Sequence, residues 1–163
     1  MKKKIFKRGM AGLLAVLTAF TTLIGIHNAP CPIEISQQMP EGINAAYRPQ
    51  DKKIFVRAGL DAGDIFRGLS QELAHAHLDN GEYKRNEHAF TAYCASYMLC
   101  SRYNVAKDMF RFERLPENIS TMDARSMRNE LSKIRDVANE ISADMAKILE
   151  KDMKPKERRD EAR

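Results

Sequence analysis

Apolar and polar positions alternate over "IEIS", Ile33 to Ser36, which predicts a short strand. A turn-rich connection, "QQMPEGIN", follows it. The stretch "AAYRPQDKKIFVRAG" then reads as a hairpin, with strands over Ala45–Arg48 and Lys53–Arg57 and a turn through Pro49, Gln50 and Asp51. The returning strand is dense in Ile54, Phe55 and Val56, and Gly59 closes it. Beyond Asp61 the period changes. Ile65, Phe66, Leu69, Leu73 and Ala76 recur at three and four, the spacing of one helix face, and predict a helix to about Leu78. Asp61 or Asp64 can cap its first turn, and "DNGEY" with Gly81 ends it. A second helix is expected from about Asn86 to Tyr103, with Phe90, Tyr93, Tyr97 and Met98 inward. After the irregular "MFRFERLPENIS", a last helix is expected from near Ser120 to about Lys151. Its Met127, Leu131, Ile134, Ala138, Ile141, Met145 and Ile148 form a heptad seam, used either against its own domain or in a homodimer. The predicted class is α+β: a short antiparallel hairpin packed on three main helices, the last one long.

The N-terminal pattern differs. Gly9 to Ile26 is an apolar run without a charge, near the ~20 residues that cross a bilayer. Lys2, Lys3, Lys4, Lys7 and Arg8 precede it, as in a secretory signal or an anchor with its basic end inside. Residues 1–29 are thus expected to be a signal-like leader or membrane anchor, 32–151 one domain, and 152–163 a charged flexible tail. A membrane-anchored or exported protein is expected; the alternative is a cytoplasmic protein in which the run forms an apolar first helix.

Charge adds little beyond this. The five basic residues of the leader account for the whole net charge of +5, so the rest of the chain is balanced and no nucleic-acid partner is expected. Cys94 and Cys100 lie about 9 Å apart along one helix at ~1.5 Å per residue, too far to bridge, and Cys31 leaves an odd count with at least one free thiol.

The candidate chemistry sits in "SQELAHAHLDNG", Ser70 to Gly81. A zinc peptidase helix carries two histidines four residues apart, so that both imidazoles leave one face and hold one metal, with a glutamate between them as general base. Here Glu72 and His75 are in register, and Gln71 stands at the first histidine position. His77 lies about 200° around the helix from His75 and points away from that face. His88 is close to Glu87, but neighbouring helix positions diverge by about 100°, so only one of them can aim well. Gly-rich phosphate loops, a serine nucleophile elbow and Cys-x-x-Cys pairs do not occur.

The order of strand, hairpin ending in "IFVRAG", helix with Glu72 and His75, and a second helix acidic near its start resembles the small gluzincin domains of the ImmA/IrrE type. More closely, "RAGLDAGDIFRGLSQELAHAHLD", "NEHAFTAYCASYMLC" and "ELSKIRDVANEIS" resemble the metallopeptidase-type domain of LtrC-like proteins of bacterial mobile elements. That resemblance spans most of Pro32 to Leu149 and implies a small zincin-like fold. It also implies zinc held by His75 and by Glu87 from the second helix, with Glu72 polarising the zinc-bound water. Two positions depart from the pattern. Gln71 offers a neutral amide where the family has an imidazole, so zinc would be held weakly or not at all. Glu87 lies three rather than four residues before Phe90.

Two functions remain open. One is a metallopeptidase with a degenerate motif, tethered at the membrane and acting on a peptide strand laid along the hairpin edge. The other is a non-catalytic module that keeps the zincin-like fold and holds a peptide or protein partner.

Overall fold

A computed structural model describes residues 31–153. The expected leader at residues 1–29 and the tail from residue 154 lie outside the described residues. Three strands form one sheet: β1 (Ile33–Ser36), β2 (Ala45–Arg48) and β3 (Lys53–Arg57), in the order β1-β3-β2. The hairpin of β2 and β3 is antiparallel, with Ala45 opposite Val56 and Tyr47 opposite Ile54. Its turn places Lys52 at a φ of +50°. Strand β1 joins the other edge of β3 in parallel, Ile33 beside Ile54. Alternation assigns the faces: Ala45, Tyr47, Ile54 and Val56 are buried, while Arg48 lies over the Phe55 ring on the opposite face, 4.3 Å from its centroid.

Helix α1 (Ala62–His77) starts at Asp61, whose carboxylate accepts the Asp64 amide at 2.9 Å. This caps one of the donors that a helix start leaves open. Helix α1 is the central element. It touches β2 and β3 on one side and α2 (Arg85–Arg102) and the long α4 (Ala124–Met153) on the other. Phe66, Leu69 and Leu73 are buried along it, with Ile65 and Ala76 packed at the margin of the core. Gly68 allows its close approach to the sheet: a Cβ there would lie 3.2 Å from that of Ala45.

Helix α2 corrects one expectation. Its inward face consists of Thr91, Ala92, Ala95, Ser96, Leu99 and Cys100, whereas Phe90, Tyr93, Tyr97 and Met98 are half-buried. Small residues face inward because α2 packs against both α1 and α4. Ser70 and Ser96 meet at 2.8 Å between α1 and α2, and both hydroxyl oxygens lie 3.1 Å from the Arg67 carbonyl, which accepts from the one that does not donate to its partner. Tyr93 and Tyr97 instead hold the following loop, with ring centroids 5.0 to 5.4 Å from Phe110 and Phe112.

The last helix does not start at Ser120. Glu117–Ser120 form a separate turn, α3, and Asp123 caps α4 by accepting the amides of Arg125 and Ser126. The heptad seam divides. Ile134, Ala138, Ile141 and Met145 are buried in this domain, but Leu131 remains 55% exposed. Cys31, Cys94 and Cys100 are all free thiols, and burial pushes Cys31 and Cys94 up to about 11. Among the described residues no helix is long and apolar enough to cross a membrane. The class is α+β, with a three-stranded sheet and four helices among the described residues.

Candidate functional site

Glu72 and His75 leave one side of α1 and are both buried, at 3% and 1% exposure. The carboxylate of Glu72 accepts three hydrogen bonds. Its Oε2 accepts the backbone amide of Tyr47 at 2.6 Å and Nη1 of Arg85 at 2.9 Å, and its Oε1 accepts Nη2 of Arg85 at 2.5 Å. A bidentate guanidinium pair of this kind is both strong and directional. Since β2 is an edge strand, the Tyr47 amide is the donor that a strand added there would have used. Glu72 has taken it.

His75 is held from the other side of the same segment. Its Nδ1 lies 2.6 Å from the Tyr83 hydroxyl, and its buried Nε2 has no hydrogen-bond partner. Burial, then the nearby positive charges of Arg85 and His88, pull its pKa down to about 3, so the ring is neutral at pH 7. Tyr83 meets the Tyr47 and His75 rings edge-on and stacks on His88, with centroids 5.7 to 5.9 Å apart. Burial raises its own hydroxyl to about 12.

Asp79 completes the segment. Its Oδ2 accepts Lys52 Nζ and the Tyr47 hydroxyl, both at 2.7 Å, tying the hairpin turn and β2 to the end of α1. The hydrogen bond from Lys52, then the one from Tyr47, draws its pKa down to about 2. The short connection from α1 to α2 therefore gives each chemistry-bearing residue of α1 a partner: Tyr83 for His75 and Arg85 for Glu72.

The other two candidates take no part in these contacts. Glu87 is exposed and pairs at 3.0 Å with Lys84, the residue that precedes α2. Gln71 lines two clefts of about 190 and 310 Å³ that share its side chain and Tyr93. His77 faces α4, its Nδ1 3.4 Å from Glu140, and His88 Nδ1 is 3.3 Å from Lys133 Nζ. Zinc, the ion the family resemblance implies, takes three protein ligands beside its water in a hydrolytic site. The residues present do not fit that need: His75 offers one unshared nitrogen, Glu72 is committed to Arg85, and Glu87 to Lys84. Among the described residues no three His, Cys, Asp or Glu side chains are grouped to hold a metal.

The clefts beside Gln71 have a distinct character. Phe90, Tyr93, Met109, Phe110 and Phe112 supply apolar surface. Arg111 and Arg114 supply positive charge to one cleft, while Arg67 in the other is paired with Asp64. Met109, Phe112 and Leu115 of the loop are exposed, at 70, 41 and 48%. Tyr93 fixes this loop through its hydroxyl, which accepts the Arg111 amide at 2.5 Å.

No family model matches the chain, and no curated protein or solved structure matches it.

Sequence reasoning did not find Arg85, Tyr83, Tyr47 or Asp79. The polar text "DNGEYKR" reads only as a helix stop and a restart. No spacing rule connects Arg85 to a glutamate 13 positions away on another helix.

Proposed function

We propose that this chain is a non-catalytic protein-binding module on a zincin-like scaffold, tethered at or exported across a membrane through residues 1–29. One observation carries the reading: the carboxylate that would act as base is buried and its oxygens are spent on Arg85 and the Tyr47 amide. A general base must come within hydrogen-bond reach of the proton it removes, and here a guanidinium and a backbone amide already crowd both oxygens. The partner is a peptide segment with large apolar side chains and acidic neighbours. Its place is the aromatic and arginine-lined groove beside Gln71, since Glu72 already occupies the amide that strand addition along β2 would need.

A peptidase ancestry is favoured by a second observation, the burial of Glu72 and His75 together on one side of α1. The two readings separate in one experiment on the purified full chain: metal content by mass spectrometry, with peptide hydrolysis measured beside Glu72→Gln. The binding module shows far less than one equivalent of zinc, manganese or iron, and its background hydrolysis is unchanged by Glu72→Gln. Stoichiometric metal with hydrolysis abolished by Glu72→Gln restores the enzyme.

A further inference from the structure

On the non-catalytic reading, Gln71 gives a first reason for this helix to hold metal poorly, because it offers a neutral amide where the resemblance implies an imidazole. The geometry points to a second one. We propose that Arg85 stands where a metal's charge would act: its guanidinium is the cation that balances Glu72, and it closes this helix face to divalent ions independently of Gln71. The inference rests on the non-catalytic reading above and concerns how the site is kept shut.

Glu72 is buried, and a buried carboxylate persists only with a counter-charge and filled hydrogen bonds. In a zincin-like site the dication and its water supply that counter-charge. Here Arg85 supplies it with two hydrogen bonds, and the Tyr47 amide supplies a third. A dication placed on the same face would meet a fixed positive charge and a carboxylate with no free oxygen. Both effects oppose binding, whatever residue stands at position 71.

Position in the chain strengthens the case. Arg85 is the first residue of α2, and Tyr83, two residues before it, holds Nδ1 of His75. A metal-bound imidazole ordinarily gives its second ring N–H to a fixed acceptor. A phenolic oxygen can serve in that role, so the support of His75 resembles that of a ligand while the cation beside it is organic. Arg85 itself is accessible for exchange, its side chain 45% exposed, whereas that of Glu72 is 4% exposed. The lock is built from the outside.

The test is metal binding in variants of the full chain, read by zinc titration calorimetry and by the visible absorption of cobalt(II). The set is Gln71→His, Gln71→His with Arg85→Met, and Gln71→His with Glu72→Gln and Arg85→Met. The last retains an acceptor for the Tyr47 amide and leaves no buried charge, so it reports if the second variant does not fold by circular dichroism. Removing Arg85 is expected to tighten zinc at least tenfold over Gln71→His alone, with cobalt bands typical of an imidazole-ligated ion. Equal affinity with and without Arg85, or no zinc binding by any folded variant, overturns the proposal. Stoichiometric zinc in the unmodified chain is a different result: it removes the non-catalytic reading itself.

Discussion

Glu72 and His75 are buried polar groups whose costs fall on different partners, and their substitutions separate accordingly. Arg85→Met leaves the Glu72 charge inside the protein with one amide donor. A loss of about 2–3 kcal/mol is expected, somewhat less than for a fully buried pair because water reaches Arg85. Adding Glu72→Gln should recover more than half of it, and urea unfolding of the four members of this cycle measures the coupling. His75 gives a pH dependence of definite sign. Its pKa is about 3 in the folded protein against 6.5 unfolded, so between those values the unfolded chain binds a proton that the folded one does not. Stability is therefore complete above pH 6.5 and falls as pH drops toward 3, by about 1.4 kcal/mol per unit at most. His75→Gln should flatten the difference between urea midpoints at pH 7.5 and pH 5. Asp79 acts in a lower window: its folded pKa is drawn from 3.8 to about 2, so its contribution is present above the unfolded value and lost as pH falls through about 2.

At the scale of the element, α1 and α4 show how far periodicity can be trusted. The stripe Phe66, Leu69 and Leu73 is legible because a helix with one neighbouring layer buries one face. But α1 has neighbours on two sides, which is why Ser70, Ala74, Glu72 and His75 are buried as well. Gly68 is the contact with the sheet. Gly68→Leu should displace Ala45 and cost about 2 kcal/mol or more, seen as a lower melting temperature, although leucine is the better helix former. Along α4 the heptad pattern is continuous while its burial is not. Ile141→Ala is expected to cost about 2–5 kcal/mol, and Leu131→Ser under about 0.5, by urea unfolding. A homodimer through the remaining seam predicts that Leu131→Glu shifts the sedimentation coefficient to that of a monomer. An unchanged coefficient leaves Leu131 a solvent-exposed leucine of a single domain.

For the whole molecule, the balanced charge outside the leader conceals a local asymmetry. Arg111 and Arg114 line one cleft with Phe90, Tyr93 and Phe112, next to the cleft that Arg67 lines in a pair with Asp64. A fluorescent peptide of alternating leucine and glutamate should bind the full chain in a salt-dependent way. Arg111→Glu with Arg114→Glu should weaken it at least fivefold. These two arginines lie outside the core, so the melting temperature should hold within about two degrees. Binding that survives this charge reversal, or that increases with salt, would move the partner surface away from the groove.

Local order was written in the sequence, because strand alternation, helix period and turn residues act between near neighbours. The hairpin from Ala45 to Arg57, the Asp61 cap and the extents of α1 and α2 come from such rules. So does the placement of Glu72 and His75 on one helix side, which spacing alone dictates. Tertiary structure decided what those side chains face. That β1 joins β3 in parallel, that α2 turns its small residues inward and its tyrosines toward Phe110 and Phe112, and that Asp123 caps α4 all depend on which surfaces meet. The same holds for the site. That Glu72 forms half of an ion pair follows from Arg85, brought to it by the turn between two helices, and a charge interaction has no period by which a linear sequence could announce it.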